Sequence, residues 1–107
     1  MGDKPHNQLD EVIHQRTRLA IMASLAAVES LDFNELKAQL GLTDGNLSTH
    51  LSALEAAGYV AVNKAFVGKK PRTSLLMTAK GRRAMQRYVG LLEGILRQAG
   101  ERRTGAK

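Results

Sequence analysis

The chain contains no cysteine. That absence excludes disulfide scaffolds, thiolate metal sites and cysteine nucleophiles together. Aromatic residues are scarce: Phe33, Tyr59, Phe66 and Tyr88 are all there are, so a core has to rest on Leu, Ile, Val, Ala and Met. No apolar run approaches the roughly 20 residues of a membrane-spanning helix, and Met1-Gly2-Asp3-Lys4 does not begin a secretory signal. There is no internal repeat and no low-complexity stretch. A nucleophile–base pair, a phosphate-cradling Gly-rich loop and a carboxylate dyad are missing as well, so an enzyme is not expected. The most telling absence is of acid. Residues 56–92 hold no Asp or Glu, yet carry Lys64, Lys69, Lys70, Arg72, Lys80, Arg82, Arg83 and Arg87. The rest of the chain has 10 acids against 8 bases, so the formal charge of +6 belongs to one segment. A one-sided basic field attracts a polyanion, of which nucleic acid is the commonest.

What is present suits one domain. The length of 107 residues lies in the usual range of about 100–150, and 43% hydrophobic residues are enough for a packed core. A single soluble, intracellular domain over residues 9–98 is expected, with a polar arm at 1–8 and a frayed basic tail at 99–107.

Residues 9–28 read as helix, bent near Gln15-Arg16-Thr17. The stretch Leu19 to Val28 has no charge and is apolar around most of its circumference; such a helix is covered on more than one side, and a second subunit is the expected second cover. Next, Asp32 or Asn34 can cap a short helix that carries Leu36 and Leu40 and stops at Gly41. Thr43 caps another, with Asp44 in its first turn, Leu47, Leu51 and Leu54 on one face and Gly58 as its stop. Two capped helices joined by a short Gly-containing turn make a helix-turn-helix. The period then changes to two: Tyr59 to Phe66 and Arg72 to Met77 read as strands joined by Val67-Gly68-Lys69-Lys70-Pro71, a β-hairpin with a cationic tip. Thr78 caps a last helix, roughly 79–98, whose stripe is Met85, Tyr88, Val89, Leu92, Ile95 and Leu96. The fold expected is α+β, mainly α: a winged helix-turn-helix with a two-stranded wing and a long C-terminal helix.

Particular residues strengthen this reading. Leu42 to Val60, with Ser48-x-His50-Leu51 and the close Leu54-Glu55-x-Ala57-Gly58-Tyr59-Val60, resembles the recognition helix of ArsR-like and MarR-like transcriptional regulators. Leu76-Met77-Thr78-Ala79-Lys80-Gly81-Arg82 resembles the leucine-threonine-x-x-glycine start of their last helix, and the wing Gly68-Lys69-Lys70-Pro71-Arg72-Thr73 resembles that of small stand-alone winged-helix DNA-binding proteins. The likeness covers roughly residues 12–96 and implies a DNA-binding regulator. Many ArsR-like proteins sense metals through cysteine or through His/Asp pairs on terminal helices. Here residues 80–107 hold no His or Asp, and among His6, His14 and His50 the last sits at the edge of an apolar stripe. No metal and no cofactor are expected.

With the leucines turned inward, Gly45, Thr49 and Ser52 fall opposite them, flanked by Asn46 and Ser48, and this N-terminal surface is the one recognition helices present to base edges. Asn46 can pair with an adenine edge and Thr49 can meet a thymine methyl. The face has no Arg or Lys, so affinity has to come from the wing. There Lys69, Lys70 and Arg72 can reach phosphates, with Arg72 a candidate for a minor groove. The expected DNA-binding set is Thr43, Asp44, Gly45, Asn46, Ser48, Thr49, Ser52, Lys64, Lys69, Lys70 and Arg72. The expected dimer contacts are Leu9, Val12, Ile13, Leu19, Met22, Met85, Tyr88, Val89, Leu92, Ile95 and Leu96. The function implied is a homodimeric, sequence-specific regulator of transcription, acting on double-stranded DNA as a cytoplasmic, nucleoid-associated repressor. The alternative is a winged-helix interaction module that docks an acidic protein without reading sequence. A small-molecule effector, if there is one, is left unidentified, because no polar cluster surrounds the Met22, Met85 and Tyr88 stripes.

Overall fold

The computed structural model describes residues 4–105; residues 1–3 of the expected arm and 106–107 of the expected tail lie outside the described residues. After a 3-10 turn at Pro5–Gln8 come α1 (Arg16–Ala26), β1 (Leu31–Asp32), α2 (Phe33–Leu40), α3 (Asp44–Ala56), β2 (Val60–Val67), β3 (Lys70–Met77) and α4 (Ala79–Gly105). The strands form one antiparallel sheet in the order β1-β3-β2. This is a winged helix-turn-helix, with β2 and β3 as the wing. No helix among the described residues is long and apolar enough to cross a membrane.

The first segment departs from the helix expected over 9–28. Leu9, Val12 and Ile13 have helical spacing, but Asp10 and Gln15 turn their side chains onto the backbone. Asp10 Oδ1 accepts from the amides of Val12 (2.8 Å) and Ile13 (3.2 Å). Gln15, extended at φ −147°, accepts from the Arg18 amide at 2.8 Å. Such local bonds compete with a continuous helix, so α1 starts only at Arg16. The 3-10 turn at Pro5–Gln8 packs on α4, and Arg18 pins the segment that follows it by donating from Nε to the Val12 carbonyl at 2.6 Å.

The second cover of α1 is also internal. Ile21, Met22 and Leu25 are buried within the chain, because α1 packs against α2, α3, β3 and α4 at once. Together with Ile13, Leu36, Leu47, Leu54 and Leu75 they make an aliphatic core to which Tyr88 is the one buried aromatic.

The helix-turn-helix forms as its caps dictate. Asp32 accepts from the Asn34 amide at 3.0 Å while Glu35 reaches back to the Asp32 amide at 3.2 Å, a reciprocal capping box. Gly41, at φ +65°, ends α2, and Thr43 Oγ1 accepts from the Asn46 amide at 3.1 Å to begin α3. At the far end of α3 the amides of Gly58 and Tyr59 return to the carbonyls of Glu55 and Leu54, and the chain turns into β2.

A turn of two residues, Gly68-Lys69, joins the strands of the wing, with Gly68 at φ +67° in the first central position. That is the residue and position favoured in tight hairpins of primed type, whose twist matches the strands. Pro71 is tolerated in β3 although β3 is the central strand. It stands one pair beyond the hydrogen-bonded pair that closes the turn, opposite Phe66, so its missing N–H is not required by β2. On the other side β1 reaches only as far as Ser74.

Helix α4 has 27 residues, about 40 Å at 1.5 Å per residue, and gives the molecule its longest extent of 65 Å. It continues past Gln98 to Gly105, where the polar composition predicts a frayed tail. Its start explains the Thr-x-x-Gly pattern. Thr78 Oγ1 accepts from the Gly81 amide at 2.9 Å and donates to the Gly58 carbonyl at 2.6 Å. A β-carbon on Gly81 would lie 2.2 Å from the Tyr59 carbonyl oxygen, so only glycine lets α4 approach the base of the wing this closely.

Candidate nucleic-acid interface

Helix α3 buries Leu47, Leu51 and Leu54 and turns Thr43, Asp44, Gly45, Asn46, Ser48, Thr49 and Ser52 to solvent. All seven therefore share the accessible surface that the helical period predicts. Their chemistry is narrower than their composition suggests. Thr43 spends its hydroxyl oxygen on the cap, and Thr49 Oγ1 donates to the Gly45 carbonyl at 2.9 Å, leaving its lone pairs and methyl outward. Asp44 would repel phosphate, but Lys37 of α2 closes on it at 2.7 Å.

Across a cleft of about 610 Å³ from this face stands the wing. Ser48, Leu51, Ser52 and Glu55 line one wall, Val62, Lys64, Pro71 and Thr73 the other, and Asp32 with Asp44 the end. Lys64, Lys69 and Lys70 are exposed. Arg72, the candidate for a minor groove, has its Nε 3.3 Å from Asp32 Oδ1 with its side chain 54% exposed. The two-residue strand β1 brings Asp32 there by pairing it with Ser74. Both acids closest to the helix N-termini, Asp32 and Asp44, are thus matched by a base, and the cationic character of the site falls on the three lysines of the wing.

Two residues of this arrangement escaped the reading of the sequence. Lys37 meets Asp44 across the turn, a contact set by how α2 and α3 cross and not by the period of either helix. Phe66 lies in phase with buried Val60, yet it is 74% exposed because the hairpin outruns the helices that would cover it.

The remaining bases form a separate group. Lys80, Arg83 and Arg87 line a second cavity of about 320 Å³ with Asp10, Tyr59 and Tyr88, while Arg82 donates to the Ala26 carbonyl at 3.4 Å. Inside this group the Tyr59 hydroxyl donates to Asp10 Oδ2. That hydrogen bond, then burial and the charge of Asp10, push the Tyr59 phenol up to about 12. Two of the three histidines have side-chain partners: His14 Nδ1 is 2.8 Å from the Tyr88 hydroxyl, and His50 Nδ1 is 3.3 Å from Arg18 Nη1.

The expected dimer residues divide by burial. Ile13 and Met22 are wholly buried in their own chain, and Leu9 and Tyr88 nearly so. These four serve the core of one protomer and have almost no surface to give a second. Val12, Leu19, Met85, Leu92 and Ile95 are partly buried against that core, whereas Val89 and Leu96 on α4 are 42% and 63% exposed.

Comparison with known proteins agrees with this geometry. Residues 17–96 match the family described as winged helix DNA-binding domain. An uncharacterized protein of Methanocaldococcus jannaschii is 38% identical over 79 residues, 74% of this chain and 86% of the relative. Among solved structures, a transcriptional regulator homologue from Pyrococcus horikoshii superposes with a TM-score of 0.79 at 28% identity, over 84% of this chain and 89% of that one. The Mycobacterium tuberculosis transcriptional regulator MOSR, solved in complex with DNA, gives 0.64 at 25% identity over 82% of this chain and 62% of its own. The chain belongs to the winged helix DNA-binding domain family, and its fold and family are those of a DNA-binding transcriptional regulator rather than an enzyme.

Proposed function

We propose that the protein is a homodimeric, sequence-specific repressor of transcription, working in the cytoplasm on nucleoid DNA. The observation that carries this reading is the division of labour across the cleft. Between Asp44 and Glu55 the exposed face of α3 bears Gly45, Asn46, Ser48, Thr49 and Ser52, small uncharged groups suited to base edges, and the wing opposite bears the cations suited to phosphates. Helix α3 enters the major groove, where Asn46 offers a side-chain amide to an adenine edge and Thr49 a methyl or an acceptor. Lys64, Lys69 and Lys70 hold the backbone on the far side of the cleft. With no guanine-reading Arg on α3, binding energy is supplied by the wing and discrimination by the helix.

Dimerisation rests on α4, where exposed Val89 and Leu96 form one apolar stripe with the partly buried Leu92 and Ile95. Pairing these stripes about a two-fold axis sets two α3 helices toward half-sites about one helical turn apart. A chain this small then represses by occupying promoter DNA.

The test is selection and sequencing of genomic fragments captured by the purified protein at about 150 mM salt. Enrichment of a two-fold-symmetric motif is the expected result. Capture without enrichment would reduce the basic segment to a polyanion surface and favour docking of an acidic protein instead.

A further inference from the structure

The tip of the wing is apolar as well as cationic. Phe66 is 74% exposed and Val67 60%, in a chain that has only four aromatic residues and no tryptophan. Leaving a phenylalanine in water forgoes the free energy of burying it, and an apolar hairpin edge invites strand-to-strand association. Nothing within the fold needs Phe66 at this position, since the core is closed without it.

Its direction follows from register. The pairs Val60–Met77, Val62–Leu75, Lys64–Thr73 and Phe66–Pro71 alternate with the opposite face of the hairpin, and Val60, Leu75 and Met77 are buried against the helices. Phe66 and Pro71 are therefore the outermost members of the helix-facing row. The same row supplies Val62, Lys64, Pro71 and Thr73 to the wall of the cleft opposite α3. Phe66 stands at the outer rim of that wall with the Pro71 ring beside it, in a non-hydrogen-bonded pair where side chains approach most closely. Exposed Lys64 precedes it on the same row, and exposed Lys69 and Lys70 lie at the turn that follows, in a stretch of chain free of acid. An apolar prow in a cationic collar matches the minor groove, whose walls are deoxyribose and whose rims are phosphate. Phenylalanine is among the side chains that such grooves admit as wedges.

We propose that Phe66, backed by Pro71, is a nonpolar DNA contact that enters the minor groove beside the phosphates held by the wing lysines. The proposal rests on the DNA-binding reading above and adds a contact of a different physical kind. A lysine–phosphate contact releases counterions and gives a salt slope, whereas an apolar contact contributes affinity that salt hardly changes.

Anisotropy titrations of a fluorescein-labelled, mixed-sequence duplex over about 50–200 mM salt separate the two. Phe66→Ser is expected to weaken binding roughly tenfold or more at every salt concentration with the slope unchanged. Phe66→Leu restores most of the affinity, and the melting temperature of both stays near that of the wild type, since the side chain is exposed. Because the chain has no tryptophan, Phe66→Trp adds a single reporter at the tip. DNA should shield its emission from acrylamide, and netropsin bound beforehand in the minor groove should restore quenching. Unchanged affinity in Phe66→Ser, or a reporter equally quenched with and without DNA, would overturn the inference while leaving the DNA-binding reading standing. A wild-type protein with no affinity for the duplex at any of these salt concentrations would overturn both.

Discussion

Replacing Lys64, Lys69 and Lys70 together by alanine removes three wing cations, one on the wall of the cleft and two at the hairpin tip, without opening the core, because all three side chains are exposed. Each phosphate neutralised on duplex DNA contributes about 0.9 to the fall of log affinity with log salt. Three contacts on one wing make a slope of about 2.7, and the two wings of a dimer about 5.4. Between about 50 and about 200 mM salt the wings alone then account for a loss on the order of 10³-fold, and the triple variant is predicted to shed that part of the dependence. Arg72 should behave otherwise, since its guanidinium is already held 3.3 Å from Asp32. Arg72→Ala leaves Asp32 uncompensated at the end of the cleft, so affinity falls but the slope changes by less than for a lysine. Asp32→Asn is the informative opposite. Asn caps a helix about as well as Asp, so α2 keeps its start while Arg72 is released toward phosphate, and binding is expected to tighten and its slope to steepen. Fluorescence anisotropy against salt measures all three. An unchanged slope in the lysine triple variant would refute the reasoning.

Three further predictions test the scaffold. Gly81→Ala places a methyl 2.2 Å from the Tyr59 carbonyl oxygen, and the required backbone shift should cost about 1–3 kcal/mol; thermal unfolding should show a fall of at least several degrees, and an unchanged midpoint would contradict the contact. Tyr59, raised to about 12 against an ordinary value near 10, holds its proton more tightly folded than unfolded. Its contribution to stability is present below pH 10 and lost as pH rises toward 12, so Tyr59→Phe should flatten that part of the wild-type curve of stability against pH. Leu96→Glu, at a position 63% exposed, should leave the melting temperature of the protomer nearly unchanged yet shift sedimentation from dimer to monomer; a dimer that persisted would move the interface elsewhere.

The elements that were legible in the sequence are those whose ends are chemically marked. Asp32, Gly41, Thr43, Gly58, Gly68 and Thr78 each punctuate the chain by a cap or a positive-φ turn, and the leucines at 47, 51 and 54 fix which face of α3 looks inward. What escaped depends on contacts that no local period encodes. Residues 9–15 have the apolar spacing of a helix, and only the side chains of Asp10 and Gln15, bonded to nearby amides, break it. Strand β1 is two residues long, too short for an alternation to register, yet it carries Asp32 to Arg72 and changes what Arg72 can do. The apolar surface of α1 suggests a second subunit because one sequence cannot say that α4 and β3 return to cover it. The same blindness assigned Met22, Ile13, Leu9 and Tyr88 to an interface when they fill the protomer's own core. Helix α4 outlasts its expected end at Gln98, since the polar composition that suggests a frayed tail does not stop a helix already propagating from a packed body.

In the proposed function α3 reads sequence while the wing supplies affinity. The most direct test is the ratio of affinities for the selected motif and for a scrambled duplex, measured at one salt concentration for the wild type, Asn46→Ala and the wing triple variant. Asn46→Ala is expected to lose about 1–3 kcal/mol of discrimination per half-site, with scrambled-duplex affinity unchanged, and the wing variant to weaken both duplexes alike. An Asn46→Ala protein that keeps the wild-type ratio, or a wing variant that loses only the motif, would contradict this division.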